Sequence, residues 1–191
     1  MALRLGPVVL FRRTLDDQSY RELLKNTLGV VLPFGRIPGV TVDSILSEGE
    51  MAVVAAVRQH LAEVEGLRSV LANVRPRGGL VVLHGALTEF VAAYVESLAT
   101  YADGQAALWS KDFTEYDRHW VRGRKQDAIT CRNLTRFLSQ REALGDTERR
   151  RWDDTLGFLE GDVTSLELFL TTCDRSGGVA PWGETRPRDV R

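Results

Sequence analysis

Of 191 residues, only two are cysteine, two are methionine and three are lysine. Two cysteines are too few for a disulfide framework, and Cys131 and Cys173 lack the close spacing of a zinc pair, so a reducing cytosol is expected. Arginine makes up 22 of the 25 basic residues, the codon bias of a GC-rich bacterial genome rather than a chemical signal. An excess of one charge is missing too. With 25 basic against 26 acidic residues, no global field is available to hold DNA or an anionic membrane. Long apolar runs are scarce: Val8 to Phe11 is closed by Arg12 and Arg13, which makes it too short for a signal-peptide core. The stretch Gly79 to Ala99 carries His84, Glu89 and Glu96, whereas a spanning helix needs about 20 nearly uncharged residues. Neither a leader nor a membrane span is expected.

What is present separates into three regions. Residues 1–42 contain Pro7, Pro33 and Pro38 and two apolar β-branched runs, Val8 to Phe11 and Val30 to Leu32, on either side of a helix expected from Leu15 to Leu28 with Gly29 as its cap. From Asp43 to Asp174 the only proline is Pro76, and apolar residues recur every three or four positions, as in long amphipathic helices. Residues 175–191 are rich in Gly, Pro and Arg and read as a flexible tail.

Punctuation divides the middle region into four helices. The first runs from about Asp43 to Val74 and is stopped by Arg75-Pro76-Arg77-Gly78-Gly79, a turn short enough to force an antiparallel return. The second reaches about Trp109. Asp112 with Glu115 resembles a capping box opening the third, which ends near Leu144. Asp146 opens the fourth, where Trp152, Leu156, Leu159, Val163, Leu166, Leu170 and Cys173 step by four and three in turn, the spacing of a bundle seam. The fold class expected is therefore all-α, an up-down-up-down four-helix bundle with a mixed N-terminal segment.

Reactive motifs fail against that frame. The first hairpin places His60 opposite Tyr94 and keeps His84 about ten residues away, so the histidines do not converge on a metal, and no Glu-x-x-His repeat is present. A straight third-fourth hairpin sets Cys131 and Cys173 out of register, which predicts two core thiols. No nucleophile elbow, dinucleotide fingerprint or phosphate loop occurs. No catalytic residue, metal ligand or cofactor is assigned.

The reading that follows is a non-catalytic, cytoplasmic bacterial interaction or scaffolding protein that binds a protein partner or forms a homo-oligomer. Its candidate contact residues are Val8, Leu10, Phe11, Val31, Leu32 and Phe34, too apolar for free loops, which must pack on the bundle or on a partner. The first alternative is a ligand-binding or enzymatic bundle with a pocket near His60, Tyr94 and Trp120, flanked by Tyr101 and His119. The second is weak nucleic-acid binding through Arg118, Arg122, Arg124 and Lys125, four cations with His119 and Trp120 interleaved.

Overall fold

A computed structural model of the chain describes residues 13–31, 50–78, 80–140, 144–147 and 149–150. These are mostly helical, consistent with an all-α protein. The elements run β1 (Arg13–Thr14), α1 (Asp17–Val31), α2 (Glu50–Ala72), β2 (Val74–Arg75), α3 (Leu80–Trp109) and α4 (Phe113–Ser139). Asp146, Thr147, Arg149 and Arg150, at the start of the expected fourth bundle helix, are helical, while the rest of that helix, the two apolar runs other than Val30 and Val31, and the tail lie outside the described residues.

The start of α1 is set by Asp16, whose carboxylate accepts the Ser19 backbone N–H at 2.8 Å and the Ser19 hydroxyl at 3.2 Å. That bond holds the Asp16 carboxyl below its ordinary pKa. Tyr20, Leu24, Thr27, Leu28 and Val31 form the buried face at helical spacing. The helix runs past the expected stop at Gly29, which stays exposed in helical conformation: burying Val31 rewards two further residues more than one glycine discourages them.

Asn73 ends α2 by donating its backbone N–H to Val70 and its side-chain amide to Ser69. Pro76 disfavours helical dihedrals in the preceding Arg75, which is extended as part of β2. The segment expected to be a plain turn thus contains a strand. It pairs in parallel with β1, Arg13 opposite Val74 and Thr14 opposite Arg75. Gly78, at φ +57°, then turns the chain into α3.

At its far end α3 closes with a Schellman pattern: Asp112 N–H donates to Ala107 C=O and Lys111 N–H to Leu108 C=O. Lys111 takes the left-handed position (φ 59°) usually given to glycine. Asp112 then caps α4 by accepting the Glu115 N–H at 3.1 Å, as its spacing predicts. The α4 helix stops at Ser139, short of the expected end near Leu144.

Numbers rising along α3 meet numbers falling along α2 and along α4, so both neighbours are antiparallel to it. His60 meets Tyr94 and Val57 meets Ala102 on one side. On the other, Asn133 donates to Glu89 C=O at 3.2 Å and Gln126 to Ala93 C=O at 3.1 Å. Tyr20, Leu24, Leu28 and Val31 of α1 join Leu71, Leu83, Leu87, Phe90, Leu134 and Phe137 in one apolar core. Among the described residues α3 is the one helix long and apolar enough to cross a membrane; its position between α2 and α4, with most of that stretch buried, accounts for the composition.

Candidate functional site

Two places carry unusual chemistry. The first is a polar seam through the middle of the three packed helices. His60, on the inner face of α2, is 4% exposed, and its Nε2 is hydrogen-bonded to the Tyr94 hydroxyl of α3 at 3.2 Å. Burial pushes the imidazole pKa down, and Glu63, with an oxygen 3.7 Å from Nδ1, offsets part of that. Burial raises the Tyr94 hydroxyl pKa, helped by the nearby charge of Asp127. One helical turn along α3 from Tyr94, the Ser97 hydroxyl donates to Asp127 Oδ1 of α4 in a short hydrogen bond. Asp127 is fully buried, and Oδ2 has no hydrogen-bond partner among the described residues.

Asp127 was not singled out from the sequence, although the signal is there. Among the buried residues of α4, Tyr116, Gly123, Asp127, Thr130, Leu134 and Phe137 step by seven, four, three, four and three, with Cys131 buried beside Thr130. An acid on that stripe is out of place unless it has a task or a partner.

The second place is an open groove of about 480 Å³ at the corner where α2 turns into α3. Leu71, Val74, Pro76, Val81 and Ala92 give it an apolar lining, with His84 in one wall. The Nδ1 of His84 is hydrogen-bonded to the hydroxyl of Tyr20 at 3.1 Å, tying that wall to α1. Val81 and Val82 are 50% and 64% exposed beside it. Three exposed arginines border the same corner: Arg13 on β1, and Arg75 and Arg77 on either side of Pro76. Among the described residues none of the three has an acidic partner, whereas Glu89, also in the lining, is engaged by Arg136 at 2.6 Å.

The residues singled out from the sequence fall as follows. Of the six apolar contact candidates, Val31 is fully buried in the chain's own core, and Val8, Leu10, Phe11, Leu32 and Phe34 lie outside the described residues. His60 and Tyr94 do meet. Trp120 instead lies under the Arg124 guanidinium, 5.1 Å from its ring centre, and Tyr101 packs against Val53, Val57 and Ala102. In the basic stretch, Arg118 pairs with Glu115 and Arg122 lies 3.9 Å from Glu96, so the cations are partly neutralised from α3 and from α4 itself; Lys125 is exposed.

One expectation is corrected outright. Cys131, buried on α4, is disulfide-bonded and is not a free core thiol. The sequence contains one other cysteine, Cys173, outside the described residues. The thiol expectation rested on a straight hairpin register for a helix that lies largely outside the described residues.

No group of three or more His, Cys, Asp or Glu side chains converges on a metal-sized site among the described residues. Compared with protein-family models, curated proteins and solved structures, the chain matches none of them.

Proposed function

We propose that the protein is a non-catalytic helical interaction module whose groove at the α2–α3 corner takes an extended segment of a protein partner, carrying apolar side chains and at least one carboxylate. The observation behind this reading is the pairing of an apolar groove, rimmed by exposed Val81 and Val82, with three arginines that have no acidic partner among the described residues. An acidic, apolar segment satisfies both at once. The parallel bridge of β1 onto β2 supports the extended form, because this corner already receives an extended stretch through its backbone. In the same reading the four-and-three spacing from Trp152 to Cys173 supplies the last helix of an up-down-up-down bundle that serves as scaffold.

Selection of random peptides displayed on phage against the full chain tests this. Enriched peptides should combine Asp or Glu with apolar neighbours, and should lose at least tenfold in affinity toward Val81→Asp and toward Arg75→Glu. No enrichment, or peptides that bind Val81→Asp as well as the parent, overturns the reading. So does a parent dimer in light scattering that Val82→Asp dissociates, which would make a second copy the occupant.

A further inference from the structure

The polar seam is independent of the groove, and it has a property the groove reading does not use. A fully buried carboxyl spans the α3–α4 interface, held by one hydroxyl. We propose that Asp127 is a proton-operated clasp between α3 and α4, closed when the side chain is a neutral acid and loosened when it becomes a carboxylate.

The geometry carries this as follows. From α3, the groups facing Asp127 are the Ser97 hydroxyl and the Tyr94 phenol, both uncharged. From α2, His60 reaches it only through Tyr94, and Glu63 lies beyond His60. From its own helix the influential cation is Arg124, whose guanidinium is over the Trp120 ring. No cation among the described residues makes an ion pair with Asp127. A negative charge there is stripped of water and compensated by one hydroxyl and by Arg124 without an ion pair, which is too little for a buried carboxylate. The neutral acid asks less of the same surroundings, and burial accordingly raises the Asp127 pKa from 3.8 to about 6.

The sign follows from linkage. The folded pKa lies above the unfolded one, so the contribution of Asp127 to stability is full below about pH 4 and is lost as pH rises through about 6. His60 works the other way: its lowered pKa favours the neutral ring, so its contribution is full above about pH 6.5 and is lost as pH falls. The two oppose each other in mildly acidic solution. A variant that removes the Asp127 titration is therefore needed to isolate the clasp.

Asp127→Asn preserves the shape and removes the titration. Its melting temperature should be close to the parent's at pH 4.5 and several degrees above it at pH 7.5. An equal difference at both pH values overturns the clasp. Should the variant fail to fold, carboxyl carbon-13 titration of the parent decides alone: a midpoint for Asp127 near pH 6 supports the clasp, and a midpoint in the ordinary carboxylate range overturns it. Hydrogen exchange on the parent adds the conformational half, since α3 and α4 amides flanking Ser97 and Asp127 should lose protection between pH 5 and pH 7.5 while those beside Phe90 and Phe137 keep theirs. Uniform behaviour along both helices would show that Asp127 titrates without loosening the interface.

Discussion

The α3–α4 interface has two halves built on opposite principles. Around Phe90 and Phe137 it is aromatic and dry, the rings stacked with centroids 6.4 Å apart and Leu134 filling the space between turns. Around Ser97 and Asp127 it is polar, with Thr100 and Thr130 also buried and each returning its hydroxyl to the carbonyl four residues back. The dry half gains stability from any good fit, whatever the exact partner. The polar half is satisfied in one register only, so it contributes alignment of the two helices at the expense of some strength.

Substitutions can separate the two. The largest expected effect is in the dry half: Phe90→Ala removes a fully buried ring from the main core and should cost about 3 to 5 kcal/mol in denaturant unfolding. A loss under about 1 kcal/mol would mean that the halves are not distinct.

Cys131 is on α4 between Asp127 of the polar half and Leu134 of the dry half, so its disulfide fastens the helix where the two meet. Reduction should lower stability by about 2 to 4 kcal/mol. Thiol titration of the denatured, unreduced protein should find no free cysteine; two free thiols would remove the bond from the account.

The smallest effects compare the two histidine–tyrosine pairs. Tyr94→Phe leaves the buried His60 ring without its partner and should cost about 1 to 3 kcal/mol. Tyr20→Phe removes one hydrogen bond from His84, which lines the open groove, and should cost about 1 kcal/mol or less. Thermal melts that reverse this order would place the polar seam closer to water than its burial implies.

These pairs also mark how far the sequence can be read. The His60–Tyr94 contact was legible because a five-residue turn fixes the register of the helices it joins, and an antiparallel pairing counted outward from that turn survives to Tyr94. The Asp112–Glu115 cap was legible for the same local reason. Tyr20 with His84 was not, because nothing near either residue specifies a partner on another helix. The β1–β2 bridge was hidden by Pro76 and Gly78, which read as a turn and are also compatible with an extended residue just before them. Asp127 was not legible because a lone acid carries no motif, and its informative feature is its position on a buried stripe. Of the candidate contact residues, Val31 fills the chain's own core.

The bridge between β1 and β2 has a kinetic consequence. It joins residues about sixty positions apart, and the Tyr20–His84 bond beside it spans 64, whereas Ser97 and Asp127 are separated by 30. Loop-closure entropy makes the distant contacts costlier to form before the rest is in place. The α3–α4 hairpin can therefore assemble early around its short link, and α1 locks last, when the α2–α3 corner exists to receive β1. Among the described helices, what locks last is also expected to open first, which places α1 ahead of α3 and α4 in local unfolding.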